Sequence, residues 1–159
     1  MTGDRRVVFD VNVFLQAMAV PNGPAGRCIQ LAVEGQLDMV VSPIVMQELR
    51  AVASRPTVIA KLHLLATRTE EFIDTMEAAA TILGGFPEGF SYQRDPDDAH
   101  YVNLALAAGA GFIVTRDKDL LDLMDSSKPE AADFQKRFQT LQILDPVEFL
   151  RRVVPRKQP

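Results

Sequence analysis

Val7-Val8-Phe9-Asp10 and Phe112-Ile113-Val114-Thr115-Arg116-Asp117 are the two stretches on which the reading of the fold turns. Each is a short β-prone apolar run that ends at polar residues and leads into a helical pattern. After the first, a helical stretch carries Val13-Phe14-Leu15-Gln16-Ala17-Met18 and is broken by Pro21-Asn22-Gly23. Pro24 opens the next helix, which stops near Gly35. Residues 37–41 read as a second strand, and Ser42-Pro43 is an N-cap followed by Pro at the first helical position, so a helix runs from there to about residue 54. Residues 56–67 give a further helical piece and Thr69-Glu70-Glu71 opens another; residues 81–83 make a short strand and 84–94 a loop. Asp95-Pro96 caps a helix to about residue 108, and a short helix occupies about 118–124. Residues 126–139 read as loop with a helical turn, 141–144 as the last strand, and Asp145-Pro146-Val147-Glu148 as a capping box for a final helix ending near residue 153.

Short apolar strands alternating with helices imply βαβ units. The expected architecture is α/β in three layers: a mostly parallel sheet of four to five strands with helices on both faces. It occupies one domain over 1–154, followed by a basic tail at 155–159. In such folds, ligands bind outside the carboxyl ends of the strands. Asp10 ends the first strand; Thr115 and Asp117 end the fourth.

Composition excludes several classes. The 159 residues are 47% hydrophobic and 24% charged, which rules out a disordered chain, a collagen-like chain and a coiled-coil rod. One cysteine, Cys28, rules out an internal disulfide and a cysteine zinc cluster, and reads as a small core hydrophobe. Two histidines, His63 and His100, make a histidine-rich metal site unlikely to form, and both read as surface residues. The apolar run near the start is interrupted by Asp10 and Asn12, unlike a signal peptide, and no stretch reaches the ~18 apolar residues of a membrane helix, so the expected location is the cytoplasm. Seventeen basic against 21 acidic residues give a net charge of −4, with no basic excess for non-specific nucleic-acid binding. Seven aspartates fall between Asp95 and Asp125.

Two helical acids fall on apolar faces. At about 100° per residue, Ile44, Val45, Leu49, Ala51 and Val52 form one side of their helix with Glu48 in its middle. In the helix after Pro96, Tyr101, Val102, Ala105 and Leu106 form the apolar face with Asp98 at its centre, while His100 and Asn103 face outward. Each acid has an ordinary explanation: Asp10 and Asp117 as helix caps, Asp98 as a first-turn acid, Glu48 as half of a buried salt bridge. Taken together, two acids end parallel strands and two point inward from helices that cover the sheet. Carboxylates that converge in one pocket disfavour each other, and a divalent cation resolves the conflict. An oxygen-only ligand set favours Mg²⁺ or Mn²⁺, with water as nucleophile at phosphorus.

These residues resemble the PIN domain, the metal-dependent nuclease fold. Residues 7–15 resemble its opening, Ser42-Pro43-Ile44-Val45-Met46-Gln47-Glu48-Leu49 its second block, 95–107 its third, and Ile113-Val114-Thr115-Arg116-Asp117-Lys118-Asp119-Leu120 its fourth. The resemblance runs from about residue 6 to 144 and is nearest to bacterial toxins of toxin–antitoxin pairs similar to VapC. It implies a Mg²⁺ or Mn²⁺ site of Asp10, Glu48, Asp98 and Asp117 with Asp119 as accessory, cleavage of single-stranded RNA, a homodimer, and a small antitoxin partner. Asp95 and Asp97 compete with Asp98 for the third position. Asn12, Thr115 and Asp95 are supporting candidates, and Arg50, Arg94, Arg116 and Arg55 are candidate RNA contacts, since Arg matches phosphate bidentately.

Two other classes stay open. One is a catalytically silent PIN-like module that binds RNA or protein. The other is a phosphatase with Asp10 as nucleophile, which wants an acid at position 12 and Ser or Thr at 14, where this chain has Asn12 and Phe14. A phosphoacceptor receiver domain wants a late strand-end Lys; only Lys118 comes near, at a helix start.

Overall fold

The computed structural model describes residues 5–154, so the basic tail at 155–159 lies outside the described residues. Strands β1 (Arg6–Phe9), β2 (Asp38–Val41), β3 (Thr81–Ile82), β4 (Phe112–Val114) and β5 (Gln142–Leu144) form one sheet in the order β3-β2-β1-β4-β5. Every neighbouring pair is parallel. The helices are α1 (Val11–Ala19), α2 (Pro24–Val33), α3 (Pro43–Ala53), α4 (Pro56–Leu62), α5 (Ala66–Ala79), α6 (Ala99–Ala108), α7 (Lys118–Leu121), α8 (Pro129–Arg137) and α9 (Pro146–Val153). Short 3-10 turns occupy Pro96–Asp98 and Asp122–Met124.

The chain builds outward from β1 to β3, then crosses to the other side of β1 for β4 and β5. Right-handed crossovers therefore put α1 to α5 on one face and α6 to α8 on the other. β1 is sandwiched between them, which is why Val7, Val8 and Phe9 are an unbroken apolar run, each fully buried. Phe9 meets Phe14 of α1 and Phe149 of α9 edge-on, at centroid distances of 5.9 and 6.2 Å. The direction of winding reverses between β1 and β4, and a crevice opens at their carboxyl ends.

Several helix starts follow their local chemistry. Ser42 Oγ accepts the Val45 N–H at 3.1 Å, with Pro43 at the first helical position. Asp145 Oδ1 accepts the Glu148 N–H at 2.9 Å. Cys28 is buried in the core as expected.

Other expectations are corrected. Residues 126–139 hold a full helix, α8, rather than a turn; Phe134 packs on Phe90 and Phe138, a distant contact that the polar local composition hides. The helical piece beginning at residue 56 ends at Leu62, because His63 takes a left-handed conformation (φ 54°), and α5 starts at Ala66 rather than Thr69. The buried side of α3 is Val45, Met46, Leu49 and Ala53; Ile44 and Ala51 are exposed, and so is Glu48. Counting Ile44 and Ala51 as inward turned the expected face by about a quarter-turn. In α6 Leu106 is exposed, Asn103 is buried and His100 is only partly exposed. That helix is covered on both sides, by the sheet and by the loop of residues 83–95, a cover that no local periodicity records.

The seat of α1 on α2 can be tested at Gly26. A Cβ there would lie 2.0 Å from the Pro21 carbonyl oxygen. In an open helix Gly→Ala stabilises by about 1 kcal/mol. Here Gly26→Ala is expected to destabilise by about 1–3 kcal/mol through overpacking, read as a fall in Tm on thermal denaturation. A rise in Tm would show that the two helices approach less closely.

Candidate metal centre

Asp10 and Thr115 stand side by side because β1 and β4 pair in register, Phe9 opposite Val114. The Asp10 N–H continues the ladder to the Val114 carbonyl at 3.2 Å. Asp10 Oδ1 accepts the Val13 N–H at 3.1 Å, which caps α1, and Oδ2 accepts the Thr115 hydroxyl. Burial raises the Asp10 carboxyl above the usual carboxylate range, opposed by these hydrogen bonds. Thr115 Oγ1 in turn accepts the Asp117 N–H at 2.9 Å, and Asp117 Oδ1 accepts the Asp119 N–H at 2.8 Å to cap α7. Asp10 and Asp117 are thus both helix caps.

Asp98 comes from the other chain segment, at the junction of the 3-10 turn and α6. It is buried, and its Oδ2 has no hydrogen-bond partner. One carboxylate oxygen from each of Asp95, Asp98, Asp117 and Asp119 lies within 4.8 Å of the others. Burial, then the hydrogen bond and charge of Asp117, push the Asp98 carboxyl up to about 8.

This cluster fits a hard divalent cation on its own chemistry. The donors are all oxygen, they converge, and one buried oxygen lacks a proton donor. Asp95, placed above as a supporting candidate, is within the group, whereas Asp97 is exposed and outside it. Glu48 is also outside it; this side chain lines an adjoining cavity with Asp97 and Tyr101. Asn12 is exposed on α1, and Arg116 is exposed between Thr115 and Asp117. Arg94 is already engaged, with Nε 2.7 Å from Asp119 Oδ1 and Nη2 2.6 Å from Asp122 Oδ2. Arg50 is engaged away from the cluster, with Glu77 and Asp74 of α5. Arg55 precedes α4 and is exposed.

Supporting contacts absent from the sequence reading hold the site together. Asn103 binds both backbone groups of Phe90, accepting its N–H and donating to its carbonyl, each at 2.9 Å. That clasp anchors the loop carrying Arg94 and Asp95 to the helix behind Asp98. Tyr101 is buried, and its hydroxyl oxygen accepts the Val11 N–H at 3.2 Å, steadying the turn after Asp10. Tyr92 donates to the Asp119 carbonyl at 2.8 Å. His100 Nε2 lies 2.7 Å from Ser42 Oγ. An Asn in the middle of an apolar helix was a visible signal for the clasp; the Tyr contacts had none.

A carboxylate cluster at the switch point of a parallel α/β sheet lies where such folds bind ligands, and its all-oxygen donors suit a hard divalent cation. The family model of the PIN domain matches residues 6–119, from the start of β1 through Asp119, and the chain belongs to the PIN-domain family. Proteins of this family are typically metal-dependent nucleases. The chain is also 30% identical over 125 residues to "Uncharacterized protein MJ1680" of Methanocaldococcus jannaschii, covering 77% of each protein. No described helix is long and apolar enough to cross a membrane.

The raised Asp98 pKa has a stability consequence in metal-free protein. The folded state holds this proton up to about pH 8, whereas the unfolded chain releases it near 3.8. The folded state therefore binds more protons between these values, and Asp98 lowers stability as pH rises through the window. Asp98→Asn is expected to raise Tm by several degrees at pH 8 and to change it little near pH 4. A Tm gain independent of pH would show that Asp98 is ionised in the folded state across the range.

Proposed function

We propose that this chain is a Mg²⁺- or Mn²⁺-dependent endoribonuclease that hydrolyses phosphodiester bonds in single-stranded or looped RNA. The observation that carries the reading is the unpartnered buried Oδ2 of Asp98 facing Asp117 across the switch-point crevice. Asp98, Asp117, Asp95 and Asp119 would hold the ion. When bound, a divalent ion supplies a water of lowered pKa and offsets charge developing on the phosphate. The two hydrogen bonds to Asp10 keep this carboxyl group fixed at the floor of the crevice, near Asp117. Glu48, exposed on α3 in the wall of the adjoining cavity, is the remaining acid of the set that the resemblance implies beside Asp10, Asp98 and Asp117. Asn12 and Thr115 orient the acids around Asp10. Arg116, exposed next to Asp117, would receive an RNA phosphate, and Arg94 and Arg50 would do so only by exchanging their present acid partners.

The phosphatase alternative needs an accessible Asp10 oxygen. Asp10 is 3% exposed and both its oxygens accept hydrogen bonds, which supports hydrolysis by water instead. The finer reading is that the enzyme is a homodimeric toxin neutralised by a small antitoxin protein in the cytoplasm, a role that rests on the resemblance of the four acid blocks.

Purified protein is to be incubated with fluorescent single-stranded RNA oligonucleotides in Mn²⁺, Mg²⁺ or EDTA. Cleavage is expected with either metal and not with EDTA. Asp98→Asn and Asp117→Asn are each expected to lower the rate by at least about 100-fold, as loss of a group that positions charge in the transition state does. Full activity in EDTA or in Asp98→Asn would sink the metal-dependent mechanism. Binding of RNA without cutting in either metal would favour the silent module.

A further inference from the structure

Beside the carboxylate cluster lies a cavity of about 840 Å³, and the turn that carries Asp98 forms part of its wall, through Pro96, Asp97 and Ala99. Its lining is chemically lopsided. Ile44, His100 and Tyr92 give it apolar and aromatic surface, and Glu48, Glu88 and Asp97 give it three carboxylates. Among the described residues no Lys or Arg lines it. Such a lining repels phosphate, so the part of an RNA chain that enters must be uncharged and rich in hydrogen-bond donors.

His100 is held in one orientation there. Ser42 Oγ accepts the Val45 N–H, so the Ser42 hydroxyl hydrogen is free to go to His100 Nε2, 2.7 Å away. The other ring nitrogen, Nδ1, lies 3.5 Å from Glu88 Oε1. Phe86 leans against the ring, tilted by 37° at a centroid distance of 5.4 Å. The wall is thus a fixed aromatic platform with a carboxylate at its edge.

We infer that this cavity is a nucleobase subsite selective for guanine, a conclusion that rests on the ribonuclease reading above. Guanine alone presents two adjacent donors, N1–H and the N2 amino group, along its pairing edge, and these match the two oxygens of a carboxylate. Uracil places carbonyl oxygens on either side of its one N–H, which a carboxylate repels. Stacking on the aromatic wall serves any base and so adds affinity without choice.

The two histidines provide a clean probe, because His63 lies at the end of α4, outside this cavity. Protein labelled with ¹⁵N-histidine is titrated in EDTA with guanosine, inosine and uridine, which carry no phosphate. Guanosine is expected to shift the His100 ring signals in a saturable way and to leave His63 unmoved. Inosine, lacking the N2 amino group, is expected to bind about fivefold or more weaker, as is guanosine with Glu88→Gln protein, and uridine to leave His100 unmoved. An unmoved His100 with guanosine, or an equal response to uridine, overturns the subsite. In parallel, oligouridine strands with a single guanosine are incubated with Mn²⁺. Cuts at a fixed spacing from the guanosine support the subsite, and cuts placed without regard to it overturn the subsite alone. If no strand is cut, the nuclease reading fails, and the histidine titration still decides whether the base is bound.

Discussion

Everything in the site depends on the parallel pairing of β1 with β4. Phe9 is registered against Val114, so the two strands end at one level, and the next residues, Asp10 and Thr115, meet as carboxylate and hydroxyl. The register is held by the core beneath it. Val7, Val8, Phe9, Ile113 and Val114 are all fully buried, and a slip of one residue would exchange the helix layer against which each packs. The placement of the acids is therefore a property of the apolar interior before it is a property of the acids.

Around that line the protein gathers negative charge in a water-poor place, and it does so unevenly. Asp10 has a backbone and a hydroxyl donor, Asp117 accepts a backbone N–H, and Asp119 and Asp122 share the Arg94 guanidinium. Asp98 is left with a buried oxygen that no donor reaches, the one such side-chain atom among the described residues. The electrostatic conflict is concentrated on one residue, which the chain delivers from the helix opposite the strand ends. A cation entering there would relieve a single group that the fold has left unrelieved, while the neighbours already sit in fixed orientations.

Much of this was legible in the chain. Strand ends at Asp10 and Thr115, the Ser42-Pro43 start of α3 and the inward Asp98 all follow from local rules of capping, periodicity and parallel-sheet topology. The misses share a cause. Asn103 and His100 were placed outward because the loop that covers them is brought in by contacts with residues more than a dozen positions away. Glu48 was turned inward because Ile44 and Ala51 are apolar yet exposed, and hydropathy cannot tell an apolar residue in a crevice from one in a core. Asp95 ranks below Asp98 in the sequence because its part depends on where Asp119 falls, a distance that spacing along the chain does not encode.

The Asn103 clasp divides the long connection between β3 and the turn at Pro96 into two unequal parts. Before Phe90 the chain runs through Gly84, Gly85 and Gly89, and Phe86 and Glu88 between them rest beside His100. After Phe90 only four residues, Ser91 to Arg94, precede Asp95, and their number is set by the span from the clasp to the cluster. Beyond the clasp the loop is thus a measured ruler, cut to the distance between one held residue and the cluster.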